Sequence, residues 1–361
     1  MTPIAMTPIA PADVVVGVDT HKHVHAAVAL DGLGARLGAI TVLVNPHGYR
    51  ELEAWACSFG AVYAFGIEGT GSYGAGLARA LVGRGHAVIE VNRPNRQLRH
   101  QQGKSDPLDA ESAARAVLSG QATARPKSGT STVEMIRHLK VARDTAVKSR
   151  TRAMITLKTL IVNAPAPLRE QLDHLSSRMA LIRHLAALRP GALTSTTAST
   201  KTALRALARR WLALDAEITE HDLALDALTD ACAPGLKAAH GIATGTAAEM
   251  LILVGDNPER IRSEAAFAKL CGTCPVPASS GKTIRHRLNR GGNRQANAAL
   301  YRVVITRMRG HPPTLAYVAK RLAEGRTKRE IVRCLKRFVA REIFAALCKP
   351  SRHAQTPANP A

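Results

Sequence analysis

The chain has 361 residues, 46% of them hydrophobic, enough for two or three domains with packed cores, which excludes a disordered polypeptide. Its formal net charge is +23, far beyond what solubility requires. No apolar run approaches the ~18 residues of a membrane span, so no membrane association is expected, and the opening MTPIAMTPIA lacks the positive start of a signal peptide. Six scattered cysteines (57, 232, 271, 274, 334 and 348) then argue for reduced thiols in the cytoplasm.

From Asp13 the apolar runs VVVGVDTHKHVHAAVAL and GAITVLVN, joined at DGLG, suit a hairpin. HGYRELEAWACSFG reads as a helix, VYAFGIE as a strand, GAGLARALVGRG as a helix, AVIEVN as a strand and SDPLDAESAARAVLSG as a closing helix. That alternation belongs to parallel βα units, so a mixed-sheet α/β domain is predicted over residues 13–125. Residues 126–232 are expected to be helical, with a long basic helix in SGTSTVEMIRHLKVARDTAVKSRTRAMITLKTLIVNA, a break at APAPLRE and a linker at PGALTSTTAST. In the helix that follows, Leu204, Leu207, Trp211, Leu214, Ile218, His221, Leu225 and Leu228 are spaced 3-4-3-4-3-4-3. The pattern fits an amphipathic helix packed on its own domain, or a coiled-coil seam within the chain or between chains. Such a seam would offer a way to assemble a homo-oligomer, dimer or tetramer.

Residues 233–349 read as a mainly helical third domain opening on GLKAAHGIATGTAAEMLILVG. Its HGIATG turn is of the helix-hairpin-helix kind, which presents backbone N–H groups to phosphates, although a plain helix corner would look the same. Residues 350–361 carry no pattern and are expected to form a disordered tail.

Charge distribution separates these regions. Residues 1–125 carry 11 Lys and Arg against 10 Asp and Glu, whereas residues 281–352 carry 19 against only Glu324, Glu330 and Glu342. So dense a block reads as a phosphate-binding surface, and nucleic acid is the expected ligand. With 5 Phe, 5 Tyr and 2 Trp there are few platforms for unpaired bases, which favours grip on backbone and shape.

Gly69, Gly71 and Gly74 stand in the G-x-G-x-x-G spacing of a dinucleotide cradle, with Glu90 about 20 residues on as a ribose acid. Glu68, immediately before them, argues against it, because a pyrophosphate would lie beside a carboxylate. Asp19 ends VVVGVD and Glu68 ends VYAFGIE, so both acids emerge at strand ends, where open α/β sheets place their ligands. Asp106 and Asp109 open a helix on one face, three residues apart, although Ser105 or Asp106 could merely cap it. Four acids at one sheet edge call for a divalent cation. Carboxylates with water and substrate phosphate suit Mg²⁺, and two such ions can stabilise attacking and leaving oxygens in phosphodiester chemistry. CGTC, with Cys271 and Cys274, lacks the second ligand pair of a zinc site. On its own SSGK reads as a solvent-exposed turn, yet a Ser280 hydroxyl followed by Lys282, Arg285, Arg287, Arg290 and Arg294 would sit where cations can hold a phosphate.

The segments GVDTHK, IEGTGSYG and KSDPLDAESAARA resemble the RuvC-like, ribonuclease-H-fold domain of the DEDD transposases of bacterial insertion sequences. FAKLCGTCPVPASSGKTIRHRLNRGGNRQANAALYRVV is similar to that family's C-terminal signature, including its Ser-Gly step. The resemblance, over roughly residues 13–345, implies an α/β catalytic domain, a helical coiled-coil middle and a mainly helical transposase domain. It implies that Asp19, Glu68, Asp106 and Asp109 form a metal-binding tetrad and that Ser280 is the nucleophile, with Ser279 beside it leaving the choice of hydroxyl open. It further implies a guide RNA from the element that selects donor and target DNA, and oligomers in which one chain's carboxylates meet another's serine. A metal-dependent junction nuclease without a covalent intermediate and a non-catalytic RNA-binding protein are the alternative readings.

Overall fold

A computed structural model describes residues 8–91, 105–283 and 286–348. The chain divides into two compact units, Met1–Gly129 and Thr130–Ala361. The architecture is mixed α/β, with a five-stranded sheet and twelve α-helices among the described residues. The expected tail at 350–361 lies outside the described residues.

The first unit runs β1 (Val14–Thr20), β2 (Val24–Leu30), β3 (Arg36–Leu43), α1 (Pro46–Cys57), β4 (Val62–Glu68), α2 (Ala75–Gly83), β5 (Val88–Val91) and α3 (Asp106–Leu118). Sheet order is β3-β2-β1-β4-β5, with β2 antiparallel to β1 and β3, and β4 and β5 parallel to the β1 direction. The first apolar run differs from expectation, since VVVGVDTHKHVHAAVAL is two strands. The chain reverses at His21–His23, where the His21 amide donates to the Val24 carbonyl, and β2 then turns into β3 through DGLG. Alternating β1 residues feed two cores. Val14, Val16 and Val18 pack with α1 and α2, and Val15 packs with Ala110, Ala113 and Ala114 of α3. That second packing depends on glycine. A Cβ on Gly17 would lie 1.9 Å from the Ala110 carbonyl oxygen, and one on Gly66 would lie 2.7 Å from a Val117 methyl, so α3 sits directly on the sheet backbone.

The second unit begins with α4 (Thr132–Val162), capped by the Ser131 hydroxyl, and continues through α5 (Ala166–Asp173) and α6 (Arg178–Ala186) to α7 (Thr196–Cys232). The helix starts inside the expected linker, because the Ser195 hydroxyl accepts from the Ala198 amide as an N-cap. The 3-4 seam is satisfied within the chain. Leu204, Trp211, Ile218 and Leu225 are buried, and α4 contributes Ile136, Ala153 and Leu157 to the same two clusters as most of them. The two helices run antiparallel, as Arg143 pairs with Asp222 and Arg150 with Asp215. Of the alternatives the stripe left open, packing within the chain is the one found, with α4 as its cover.

Residues 233–243 are a succession of turns leading into α8 (Thr244–Val254), so HGIATG follows no second helix directly. Gly241 takes a positive φ of 82°, and the Arg307 guanidinium donates to the His240 carbonyl at 2.7 Å. Beyond it lie α9 (Glu264–Leu270), a hairpin of β6 (Pro275–Pro277) and β7 (His286–Leu288), α10 (Arg294–Gly310), α11 (Pro312–Ala323) and α12 (Lys328–Cys348). Phe267, Leu300, Val303, Leu335 and Ile343 centre one shared core for most of these elements.

Candidate metal centre and nucleic-acid interface

β1 and β4 lie side by side in parallel, with Gly17 opposite Gly66 and Val18 opposite Ile67. Alternation therefore puts the next pair, Asp19 and Glu68, on the face that α3 covers. The Thr20 hydroxyl donates to the Glu68 carbonyl at 2.8 Å and ties the two strand ends together. On α3, Asp106 and Asp109 occupy the first turn. Ser105 is the N-cap but its side chain makes no capping hydrogen bond, and Pro107 fits the helix start, where no amide donor is needed.

Asp19 and Asp106 are bridged by a residue that the sequence reading did not single out. His21 Nε2 lies 3.2 Å from Asp19 Oδ2 and 3.4 Å from Asp106 Oδ1. One ligand atom from each of Asp19, His21 and Asp106 lies within 4.8 Å of the others. The His21 nitrogen is shielded from solvent, and neither approach has the geometry of a hydrogen bond. Asp19 and Asp109 are buried, while the Asp106 side chain is half exposed. Burial pushes the Asp19 carboxyl above its ordinary range, the His21 imidazole opposes that shift, and the nearby Asp109 and Asp106 charges reinforce it. A cation would relieve both the repulsion and the orphaned nitrogen, so the donor set fits a divalent metal. His21 follows Asp19 by two residues on an extended strand end, and that alternation was the available signal.

The glycine loop after Glu68 spends three of its amides on its own carbonyls. Gly69 takes φ +70°, and its carbonyl accepts from the Ser72 and Gly74 amides, while the Ala75 amide donates to Ser72. The turn closes on itself, and α2 begins without a side-chain cap. A dinucleotide cradle needs those N–H groups free.

In the second unit, Ser280 stands at the tip of the β6–β7 hairpin. Its backbone exchanges hydrogen bonds with Thr283 at 3.2 and 3.1 Å around Gly281, whose φ is +54°. Ser279, Ser280 and Lys282 are exposed, as are Arg287, Arg290 and Arg294, and these four cations form no ion pair among the described residues. Arg285 lies outside the described residues. Of the CGTC cysteines, Cys271 is buried, with its thiol pushed up to about 12, and Cys274 accepts from the Asn289 side-chain amide at 3.3 Å.

Two matches with known families fall on these features. Residues 16–164 match the transposase family DEDD_Tnp_IS110, a span that includes Asp19, Glu68, Asp106 and Asp109. Residues 234–319 match the transposase family IS116/IS110/IS902, a span that includes the Ser280 hairpin. Both spans are therefore similar to IS110-family transposases. A curated relative, the insertion element IS110 uncharacterized 43.6 kDa protein of Streptomyces coelicolor, is 31% identical over 115 residues. The aligned stretch makes up 32% of this chain and spans 28% of the relative's own length. No described helix is long and apolar enough to cross a membrane.

Proposed function

We propose that this chain is an insertion-sequence transposase that cuts and rejoins DNA strands in the cytoplasm. In this reading Asp19, Glu68, Asp106 and Asp109 are the metal-binding tetrad, the first unit has a ribonuclease-H-like fold, and Ser280 is the nucleophile. The observation that carries the metal reading is the convergence of Asp19, His21 and Asp106 at the sheet edge. The sheet order and the parallel β1–β4 pair support the fold assignment. Mg²⁺ is the expected ion, two per site, and when bound it would stabilise the charge that develops on the phosphate oxygens.

The residues divide the work. The tetrad provides negative charge on a rigid sheet and helix. Ser280 Oγ gives up its proton and forms an ester bond to phosphorus, while the bond from phosphorus to the departing sugar oxygen breaks and that oxygen takes up a proton. A second sugar hydroxyl then reverses the exchange on a new strand, which conserves the number of phosphodiester bonds. Lys282, Arg285, Arg287, Arg290 and Arg294 would hold donor and target DNA by their phosphates. A guide RNA encoded by the element would supply sequence choice, and sequencing RNA that co-purifies with the protein tests it. The division into residues 13–125, 126–232 and 233–349 is retained as catalytic, helical and transposase domains. A homo-oligomer needs a surface other than the stripe covered by α4.

The test is covalent capture. Denaturing gels of reactions trapped with a nicked substrate should show DNA attached to wild-type protein and none attached to Ser280→Ala. Asp19→Ala and excess EDTA should abolish cleavage with nucleic-acid binding retained. An adduct lost only in Ser279→Ala would move the nucleophile by one residue. Metal-dependent cleavage without any adduct would instead identify a junction nuclease that uses water.

A further inference from the structure

In the basic C-terminal unit, aromatic rings and unpaired cations meet beside the β6–β7 hairpin. A groove of about 280 Å³ runs between the base of the β6–β7 hairpin and helices α11 and α12. Tyr317 and Phe338 stand in its wall as an edge-to-face pair, ring centroids 5.3 Å apart, and a second hollow of about 230 Å³ continues past the same two rings. Phe338 is 43% exposed and Leu288, across the groove, 49%.

The rim is cationic. Arg287, Arg333 and Lys336 line it, while Arg321 and Arg341, already paired with Glu324 and Glu264, lie 5.9 Å from the Tyr317 and Phe338 ring centroids. Arg337 is held by Glu264, but Arg287 and Arg333 form no ion pair among the described residues, and Lys336 reaches only the Asn297 side chain. Burial, reinforced by the adjacent Arg333 charge, holds the Lys336 ammonium below its ordinary range. Aromatic faces beside unpaired cations suit a ligand that is flat at one end and anionic at the other.

We propose that this groove binds one unpaired nucleotide of the strand held by the C-terminal unit, with the base against Phe338 and Tyr317 and the phosphate on Arg287, Arg333 and Lys336. The hairpin that forms one wall carries Ser280 at its tip, so an extrahelical nucleotide in the groove would fix a strand relative to that hairpin. The inference rests on the nucleic-acid reading above and not on the cleavage chemistry.

The experiment measures binding by the full-length protein in EDTA, which removes any dependence on catalysis. Three labelled DNAs are compared: a flush duplex, the same duplex with one unpaired 2-aminopurine, and a single strand. Wild-type protein should bind the DNA carrying the unpaired base about tenfold more tightly than the flush duplex and should quench its fluorescence by stacking. Phe338→Ala, at an exposed position, should bring that preference close to unity, leave flush-duplex affinity within about twofold and abolish the quenching. Equal affinity of wild-type protein for flush and unpaired DNA would overturn the proposal, as would a preference that survives in Phe338→Ala. An equal loss of affinity for all three DNAs would assign Phe338 to the fold instead. Because binding is read in EDTA, where no strand is cut, failure of the transposase reading leaves this result standing.

Discussion

Replacing Gly17 with alanine tests whether the packing of α3 on the sheet builds the acidic site. The new Cβ would lie 1.9 Å from the Ala110 carbonyl oxygen and 2.4 Å from the Ala114 amide nitrogen, whereas real Cβ atoms essentially never come closer than 3.0 Å. The helix must therefore retreat by about 1.1 Å, the difference between 3.0 and 1.9 Å. Overpacking of this kind costs about 1–3 kcal/mol. For a unit of this size that corresponds to a melting temperature lower by roughly 5–15 °C. The functional loss should be larger than the stability loss suggests, because α3 carries Asp106 and Asp109 while β1 carries Asp19. A misplacement of about 1 Å between reacting groups can cost about a hundredfold in rate. Thermal unfolding followed by circular dichroism, together with calorimetric titration of Mn²⁺ and a strand-cleavage assay below the melting transition, would read all three effects. Truncating a side chain on α3 should not rescue the variant, since the nearest atoms are backbone. A Gly17→Ala protein that melts with wild type and binds metal unchanged would refute the reasoning.

Two further outcomes follow from buried groups. His25 is fully buried with no partner on either ring nitrogen, and burial holds its pKa below the ordinary value. The unfolded chain therefore takes up a proton there first, so the stability tied to neutral His25 is present above its unfolded pKa of about 6.5 and lost as pH falls below it. Urea unfolding between pH 7 and 5 should show wild type losing more stability than His25→Phe, which keeps a ring against Tyr49; parallel curves would count against this account. The Cys271 thiol, pushed up to about 12 by burial, should resist alkylation of the native protein at pH 8 while exposed Cys57 reacts, and equal labelling rates would contradict its placement.

Much of the first unit was legible because its strands and helices have different periods. VYAFGIE, AVIEVN and the helix after Ser105 were placed within a few residues, and the positions of Asp19 and Glu68 at strand ends followed directly. The reversal at His21–His23 was not legible, since THKHVHAA contains no glycine, proline or asparagine to mark a turn. His21 was lost with it, although its spacing from Asp19 was visible. The 3-4 seam was read correctly as an apolar stripe, but a stripe does not name what covers it. Small residues such as Ala146 and Ala153 on α4 gave little hint that this basic helix was the cover. Tyr317 and Phe338 stand on different helices and acquire meaning only when α11 and α12 lie side by side.

The antiparallel pair of α4 and α7 constrains how the chain can change length. Arg143 and Arg150 are seven residues apart, as are their partners Asp222 and Asp215, so the two ionic crossings share one register. One residue inserted between the crossings in either helix turns everything beyond it by about 100° and lifts the apolar stripe off its cover. Lengthening is compatible with packing only when both helices grow together by about two turns, and isolated insertions are best accommodated at the exposed stretch Gly191–Ser195 that precedes α7. The pair thus acts as a fixed-length strut, whose dimension is set by two sequences at once and is correspondingly resistant to drift.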